Sequence, residues 1–357
     1  MRDDDIEANL PIQVILPNLK RRFSGITATL AAVAPIQART LGIASVGAPI
    51  PVPLPRIGWK ELFRLTADPL PGGRARIFHA RRNNEMLAGL LLRRLLRRRV
   101  QLVFTSTAQR RHTRWTRALL ARMDAVLSTS PAAASYLERP PAAVIPHGVN
   151  LELYRPEPDR AAAWRSTGLP GTFGVGILGR IRPQKGLREF VEALCGVLPD
   201  VPEATAVIVG ETTPRFASFE ADLRRYVRDR GLEERFRWLG KLPFGELPGW
   251  FRRLSLVAAV PRNEGFGLTC LEAMASGTAV VATRTGAFEL LLRDGEDGRL
   301  VPCADTKALA AVFRELLGDR ERLEEMGKSA LARAEAEFSI EREARALNAF
   351  YATLLDG

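Results

Sequence analysis

Short apolar runs alternate with amphipathic segments along nearly the whole chain, and no other feature of the sequence limits its fold as strongly. The runs IQVILP (12–17) and VQLVFTS (100–106) are rich in β-branched residues and are typical of strands that are covered on both faces. Helical segments such as ITATLAAVAPIQA (26–38) lie between such runs. Strands separated by helices predict a parallel sheet with helices on both faces.

The pattern occurs twice, and this repetition predicts two doubly wound, Rossmann-like α/β domains. Further strands are predicted in the first half at 76–80 and 124–130, and in the second half at 171–180, 205–210, 236–240 and 254–260, with a strand and its loop at 278–286. The segment 156–171 between the two series is polar and contains several Pro and Gly residues, which is typical of a domain boundary. We therefore predict an N-terminal domain over 1–165, a C-terminal domain over 166–339, and a terminal helix in 340–357 that packs back toward the N-terminal domain.

Several classes of protein are disfavoured by what the sequence lacks. Its apolar runs are shorter than the roughly 20 residues of a membrane span. The first ten residues, MRDDDIEANL, are polar and acidic, so we do not predict a secretory signal and we expect a cytoplasmic location. Three cysteines and three histidines are widely spaced, which argues against a disulfide framework and against a metal site.

Positive charge is concentrated in the first half. Residues 1–150 contain 23 Lys and Arg against 9 Asp and Glu, a net charge of +14, whereas residues 151–357 have a net charge of −2. Such asymmetry predicts an acidic partner for the first half: a nucleic acid, an anionic membrane surface or an acidic substrate. The alternative is a solvated surface that is simply rich in arginine.

Polar residues follow the predicted strands of the second half. Arg180 and Lys185 follow the strand 171–180, and Glu264 begins the segment EGFG after the strand 254–260. Ligands of open α/β sheets bind at the carboxyl ends of the strands. Cations and a glycine-rich turn at a helix start favour phosphate, and carboxylates accept hydrogen bonds from sugar hydroxyls. Together these residues predict a nucleotide-sugar site.

The pattern G-R-x4-K-G at 179–186, followed by E-G-F-G-x4-E at 264–272, resembles the donor site of retaining glycosyltransferases of family 4. The likeness covers nearly the whole chain, although Pro261 stands where the family pattern has serine. It implies the GT-B fold, in which two Rossmann-like domains face each other across a cleft. It also implies catalytic roles for Arg180, Lys185 and Glu264. The implied donor-binding residues are Gly25, Gly210, Gly265, Phe266, Gly267, Leu268 and Glu272.

HARRNNEM (79–86) and FTSTAQRRH (104–112) resemble a narrower group, the bacterial lipopolysaccharide core mannosyltransferases that use GDP-mannose. Many members of family 4 carry a histidine in the loop after the strand that corresponds to 100–106, whereas this chain has Ser106, Thr107 or Gln109 there. His79 either contacts the acceptor or lies in the core, since it ends an apolar strand. His147, in a turn typical of the family, is interpreted as mainly structural. The predicted acceptor-binding residues are His79, Arg81, Arg82, Gln109, Arg110 and Arg111.

The resemblance implies a retaining hexosyltransferase that moves mannose from GDP-mannose to the Kdo-containing inner core of a lipopolysaccharide precursor. Its partners would be the nucleotide-sugar, an anionic lipid-linked glycan and the inner-leaflet surface, and no metal or other cofactor is expected. One alternative is the same fold with a UDP-hexose donor and another acceptor. A second is a basic nucleic-acid-binding protein, although aromatic residues (7%) are not interleaved with the arginines as stacking platforms would be.

The segment MLAGLLLRRLLRRR (86–99) places Leu87, Leu91 and Leu95 on one helical stripe with arginines beside it. A basic amphipathic helix of this kind is able to lie on an anionic leaflet, at the cytoplasmic face of the inner membrane. The alternative is a helix whose leucines face the core and whose arginines face solvent. The sequence leaves both interpretations open.

Overall fold

The structure is a computed structural model that describes residues 10–21 and 24–356. Its contacts divide the chain into two compact units, one of Met1–Gly148 with Ile340–Gly357 and one of Val149–Ser339. The acidic segment 1–9 and part of the polar loop 18–25 lie outside the described residues.

The first unit is built on a parallel sheet, which has seven strands in the order β3-β2-β1-β4-β5-β6-β7 within the described residues. Its strands are β1 Val14–Asn18, β2 Ile43–Gly47, β3 Arg56–Ile57, β4 Arg76–Ala80, β5 Val100–Ser106, β6 Ala125–Ser128 and β7 Ala143–Val144. Its helices before the linker are α1 Gly25–Gln37, α2 Trp59–Ala67, α3 Asn83–Leu90, α4 Arg114–Leu120 and α5 Pro131–Ala134.

Both faces of this sheet are covered, which is why its strands are apolar without alternation. Val14 and Leu16 belong to the hydrophobic cluster on one face, together with Ile77. Ile15 and Phe78 belong to the cluster on the other face. The predicted parallel α/β architecture is therefore confirmed for this unit.

Three strands of the first sheet, β2, β3 and β7, were not predicted. The strand β2, of sequence IASVG, was not predicted, because its small residues give a weak strand signal. The strands β3 and β7 have two residues each, too few to give a recognisable pattern, and within the segment 142–150 only Ala143–Val144 forms a strand, β7. Pro146 lies shortly after it and has no N–H to donate to a neighbouring strand.

The second unit has its own parallel sheet, with six strands in the order β10-β9-β8-β11-β12-β13 in the part of the chain that is described. The strands are β8 Phe173–Leu178, β9 Ala204–Val209, β10 Phe236–Gly240, β11 Leu254–Ala259, β12 Ala279–Thr283 and β13 Arg299–Val301. The helices are α6 Arg160–Arg165, α7 Leu187–Cys195, α8 Ala217–Arg228, α9 Leu247–Arg253, α10 Leu268–Ala275, α11 Phe288–Leu291, α12 Thr306–Leu317 and α13 Arg320–Glu337.

Short turns of other helical types complete the two units. The 3-10 turns are Pro71–Gly73, Pro183–Lys185, Leu198–Asp200, Pro214–Phe216, Glu233–Arg235 and Phe244–Glu246, and the segment Leu91–Leu95 continues α3 as one π-helical turn. In the second sheet, β8 lies between β9 and β11, so the strand order reverses at β8. Reversal points of this kind open a crevice at the carboxyl ends of the strands.

The second unit begins at Val149, earlier than the boundary predicted between 165 and 166. The Val149 N–H donates to the Phe338 carbonyl at 2.9 Å, which joins the two ends of the unit. Trp164 is 1% exposed and belongs to the core of the second unit. A Cβ atom at Gly174 of β8 would lie only 2.3 Å from its ring, so the indole packs directly on the sheet.

The last helix, α14 Ile340–Asp356, belongs to the first unit. Its buried residues, among them Leu347 and Tyr351, complete the cluster on the α1 side of the first sheet. Gln37 of α1 donates to the Asn348 side chain at 2.9 Å. A search of the helices in the described residues finds none that combines the length and the apolar character needed to cross a membrane.

Candidate active site

The loops after β8 and β11 touch each other at the carboxyl edge of the second sheet. Gly186, at the end of the β8 loop, has a φ of 74°, and a Cβ atom there would lie 1.8 Å from the Val260 carbonyl oxygen. Only glycine allows this left-handed conformation and this close approach together. The Arg262 N–H donates to the Gln184 carbonyl at 3.0 Å, which adds a second link between the loops.

Lys185 and Glu264 meet where these two loops join. The Lys185 ammonium donates to Oε2 of Glu264, and the Gly265 N–H donates to Oε1 of the same carboxylate at 3.1 Å. The side chains are 27% and 24% exposed. The pair is therefore sheltered enough to be ordered and open enough to contact a ligand. The structure thus brings together two of the three predicted catalytic residues.

Arg180 lies on the same loop as Lys185, and both contribute to a small cavity at the end of β8. Its side chain is exposed. Gly210, which follows β9, packs against the start of this loop, because a Cβ atom there would lie 1.8 Å from the Gly179 carbonyl oxygen. Gly210 therefore fixes the backbone next to Arg180.

Gly267 caps the start of α10 with a φ of 108°, and a Cβ atom there would lie 2.1 Å from the Phe288 ring. Phe266 is buried, and its carbonyl accepts from the Ala287 N–H at 3.1 Å. Leu268 is half-buried in the first turn of the helix. The N–H groups at the start of a helix carry a partial positive charge, which favours an anionic ligand group at this end of α10.

Glu272 lies about one turn further along α10, where it is half-buried and accepts from the Tyr154 hydroxyl at 3.0 Å. Burial raises the pKa of Glu272 to about 7, and the hydrogen bond from Tyr154 opposes that rise. Burial also raises the pKa of Tyr154, so the phenol remains a donor at neutral pH. Tyr154 was missed in the sequence, because a lone tyrosine in the linker gives no signal of a partner in α10.

A second ion pair near the site was also missed. The Arg262 guanidinium binds the Glu189 carboxylate of α7, with Nη2 and Oε1 2.5 Å apart. The Glu189 side chain is 6% exposed, and its Oε2 has no hydrogen-bond partner among the described residues. Arg262 thus connects the β11 loop to α7.

In the first unit, Gly25 begins α1, and a Cβ atom there would have no described atom within 4 Å. Arg82 holds this helix start, because its guanidinium donates to Ser24 Oγ at 3.1 Å and to Thr27 Oγ1 at 3.0 Å. It also pairs with the fully buried Glu85 at 2.6 Å. The donors of Arg82 are thus occupied within the protein. Arg82 therefore positions the loop that contains Gly25. This structural role replaces the acceptor contact that was predicted for Arg82.

His79 lies in the core, which corrects its predicted contact with the acceptor. The side chain is fully buried, and its two ring nitrogens lie 2.5 Å from the Tyr351 hydroxyl and 2.7 Å from Thr105 Oγ1. Burial, with a smaller effect of Arg81, holds the pKa of His79 well below its ordinary value. A neutral imidazole with both nitrogens paired inside the protein has no free position for a substrate. The alternative interpretation of His79 as a core residue is the correct one.

Arg81 lines a small cavity at the carboxyl edge of the first sheet, together with Thr129 and His147. Within the described part of the chain, Nη1 of Arg81 and Oγ1 of Thr129 are buried without a hydrogen-bond partner. His147 Nδ1 lies 2.8 Å from the Glu343 carboxylate, which also accepts from the Gly148 N–H. The prediction that His147 is mainly structural agrees with this pairing, and Arg81 remains a candidate for an anionic group.

The other predicted acceptor residues lie in the loop between β5 and α4. Gln109 donates to Ser130 Oγ at 3.2 Å, and Arg110 and Arg111 are exposed. His112 hydrogen bonds to Ser106 at 3.4 Å, and burial, with a smaller contribution from Arg110, lowers its pKa. The structure therefore leaves the two arginines of this loop accessible. Over residues 10–21 and 24–356, no group of three or more His, Cys, Asp or Glu side chains is arranged to hold a metal ion.

Comparison with known proteins identifies a family that this chain matches. The family described as "Glycosyl transferases group 1" matches residues 167–333. The chain is 44% identical to the lipopolysaccharide core biosynthesis mannosyltransferase LpcC of Rhizobium leguminosarum bv. viciae, over 96% of this chain and 97% of that protein. It is 42% identical to LpsB of Rhizobium meliloti, a protein of the same description, over 96% and 98%.

Solved structures match both units. The C-terminal domain of LpcC from Francisella tularensis is 35% identical with a TM-score of 0.53, and the match covers 54% of this chain and 99% of that domain. HepE of Anabaena, solved with UDP and glucose, has a TM-score of 0.81 at 19% identity, over 96% of this chain and 100% of that protein. The latter likeness establishes the fold alone, and it agrees with the predicted pair of Rossmann-like sheets.

Proposed function

The chain belongs to the group 1 glycosyl transferases, and on that basis we propose that it transfers mannose from GDP-mannose to the inner core of a lipopolysaccharide precursor. In this proposal the second unit binds the donor and the first unit binds the acceptor. We take the proposed sugar, mannose, and the proposed acceptor, the lipopolysaccharide core, from the descriptions of LpcC and LpsB. Both proteins are similar to this chain over nearly their whole lengths. GDP comes from the resemblance of 79–86 and 104–112 to enzymes that use it.

The observation that carries the proposal is the contact between Lys185 and Glu264, which joins two loops at the carboxyl edge of the second sheet, with Arg180 on the same loop as Lys185. Breaking the bond between the anomeric carbon and the diphosphate builds negative charge on the departing phosphate. Fixed cations at that place lower the barrier, because they need no reorganisation when the charge develops. Arg180 and Lys185 supply these cations, and the proposal therefore requires no metal ion.

The two glutamates divide the recognition of the donor. Glu264 accepts a hydrogen bond from a hydroxyl of the transferred sugar, which also draws the sugar toward Lys185. Glu272, on the next turn of α10, accepts from the ribose hydroxyls when it is ionised. The N–H groups of residues 265–267 approach the sugar and the phosphate at the helix start.

Retention of configuration is implied by the family. No carboxylate other than Glu264 is assigned next to the transferred sugar, and Glu264 is already paired with Lys185. We therefore propose attack on the same face through an oxocarbenium-like state, without a covalent glycosyl-enzyme.

Acceptor recognition rests on arginines of the first unit. Among the described residues, Nη1 of Arg81 has no hydrogen-bond partner, and Arg110 and Arg111 are exposed. Guanidinium groups bind phosphate and carboxylate in a bidentate manner, and a Kdo-containing lipid precursor carries both groups. We propose that the protein reaches this acceptor as a peripheral protein on the cytoplasmic face of the inner membrane.

The test is a donor panel with one acceptor. The full chain is incubated with Kdo-lipid A and GDP-mannose, UDP-glucose or UDP-galactose, with and without a chelator, and the product mass is read. We expect one added hexosyl residue with GDP-mannose only, unchanged by the chelator. Transfer from a UDP-hexose would replace the donor in this proposal. Failure of every donor, combined with binding to DNA that persists at high salt, would overturn it.

A further inference from the structure

The leucine stripe of the first unit does not pack into the core. Leu87 is 39% exposed, Leu91 47% and Leu95 73%, and Trp115 of α4 beside them is 57% exposed. With Arg94, these four side chains line one open groove, which we call the Leu–Trp groove. Apolar side chains of this size that are exposed together mark a surface that binds a partner.

The opposite side of the same segment makes the core contacts. Met86, Leu90 and Leu92 are buried against the first sheet. A Cβ atom at Gly89 would lie 2.8 Å from the Leu102 side chain, so the helix lies directly on β5 at that point. Other residues already fill the core side of α3. Of the two interpretations that the sequence left open, the one in which the leucine stripe faces the core is therefore wrong.

The π turn Leu91–Leu95 fixes the end of the groove. The Leu96 N–H donates to the Leu91 carbonyl at 3.1 Å, and the Arg98 N–H donates to the Leu92 carbonyl at 3.0 Å. Arg97 closes the turn in the left-handed region, with a φ of 49°. Because these bonds satisfy the last carbonyls of the helix, Leu95 stays outward in a defined backbone.

The surroundings of the groove are strongly basic. Residues 86–123 contain ten arginines and no aspartate or glutamate. Arg93 and Arg117 are neutralised by Asp124 and Glu138. Arg94 lines the groove itself, is exposed, and has no ion pair among the described residues.

We propose that the Leu–Trp groove docks the protein on an anionic lipid bilayer. The leucines and Trp115 enter the interface between headgroups and acyl chains, and the arginines meet the lipid phosphates. A second copy of the chain fits less well, because a two-fold contact through this groove would bring two basic surfaces together. A bilayer matches both the apolar groove and the charge around it.

This inference deepens the proposed function, since it names the surface through which the enzyme meets its lipid-linked acceptor. Docking needs neither donor nor turnover. Docking and transfer can therefore be tested separately. Vesicle binding without transfer would support docking and contradict the proposed function, whereas transfer without vesicle binding would support the proposed function and contradict docking.

The test is sedimentation of the full chain with vesicles of phosphatidylglycerol and phosphatidylcholine, compared with vesicles of phosphatidylcholine alone. We expect binding to the anionic vesicles that weakens with salt. The double variant Leu91→Asp/Leu95→Asp is expected to reduce the partition coefficient at least tenfold, and Arg94→Gln about fivefold, the value for one basic residue at such a surface. Leu153→Asp changes a leucine of similar exposure (39%) in the second unit and is expected to bind like wild type.

A second readout reports insertion directly. Brominated acyl chains are expected to quench part of the tryptophan fluorescence in wild type, and the Trp115→Phe variant is expected to lose that part. Equal sedimentation of wild type and the Leu91→Asp/Leu95→Asp variant would overturn the proposal. It would also be overturned by a wild-type dimer that this variant converts to a monomer, since the groove would then be an interface between two copies.

Discussion

The Lys185 ammonium and the Glu264 carboxylate form an ion pair that joins the loops after β8 and β11, and each side chain keeps about a quarter of its surface exposed. A pair of this kind contributes little to stability, because water screens it. Its place at the point where the strand order reverses is characteristic of ligand binding instead.

Lys185→Ala and Glu264→Gln are each expected to abolish transfer, with kcat/KM lower by about a hundredfold or more, since each removes charge that stabilises the transition state. The melting temperature should change little in either variant. Arg225→Ala breaks an exposed pair with Asp222 in α8 and serves as the control with wild-type rate. Wild-type turnover in either site variant would show that the site lies elsewhere.

Nucleotide affinity is expected to rise with pH through the pKa of Glu272, which burial raises to about 7. Only the ionised carboxylate accepts from both ribose hydroxyls, so GDP should bind more tightly at pH 8 than at pH 6. Glu272→Gln should flatten this dependence, and Tyr154→Phe should move it to higher pH, because the hydrogen bond from Tyr154 favours ionisation. Calorimetric titration with GDP at several pH values measures the affinity of wild type and of both variants. A wild-type affinity without pH dependence would contradict the assignment.

The same carboxyl group links stability to pH. Its pKa in the folded state is above its ordinary value, so its contribution to the free energy of unfolding is present at low pH and is lost as pH rises to about 7. Relative to wild type, Glu272→Gln should therefore gain stability between pH 5 and pH 8, by at most about 3 kcal/mol. Urea unfolding at pH 5 and pH 8 measures the free energy of unfolding of variant and wild type. If the difference between the two proteins is the same at both pH values, the pKa of Glu272 is not raised.

Gly210→Ala is expected to lower both stability and nucleotide affinity. The new methyl group would be forced into the Gly179 carbonyl and would displace the backbone beside Arg180, at a cost of about 1–3 kcal/mol. Gly196→Ala is the matched control, because the nearest atom to its Cβ lies 3.6 Å away. Thermal unfolding with and without GDP separates the two effects. Equal behaviour of the two variants would mean that the loop tolerates displacement.

Tyr351→Phe is expected to destabilise the protein by about 1–3 kcal/mol, because it leaves one ring nitrogen of the buried His79 without a partner. Transfer at a temperature where the variant is folded should remain near wild type, since His79 does not reach the substrate. Tyr136→Phe, at an exposed position, should leave stability unchanged. Chemical unfolding and a transfer assay measure the two quantities, and a folded Tyr351→Phe variant without activity would return His79 to the site.

The periodicity of the sequence predicted the fold because strand and helix patterns are local. Buried strands such as β8 and β11 stand out as apolar runs, and glycines with charged residues mark the loops after them. The strand β2 was missed because Ala44 and Ser45 give a weak strand signal. They lie in a strand because β1 and β3 pair with β2 on either side. Its strand character comes from its neighbours.

The same distinction applies to the site residues: those in local sequence patterns were predicted, and those that depend on distant contacts were not. Lys185 and Glu264 belong to patterns that are readable in sequence, and the structure pairs them. The core position of His79 depends on Tyr351, which is far away in the chain, and the ion pair of Arg82 with Glu85 depends on the end of β4. One sequence without its fold does not distinguish an arginine that faces a ligand from one that holds a loop.

The assignment of α14 to the first unit has a consequence for biosynthesis. Ile340, Leu347 and Tyr351 fill the core beside α1, yet they are translated only after the whole second unit. The unit that is translated first therefore waits, with an apolar groove uncovered, while residues 149–339 are made and fold. A nascent chain that had left the ribosome only as far as residue 339 would carry a finished second unit and an unfinished first one.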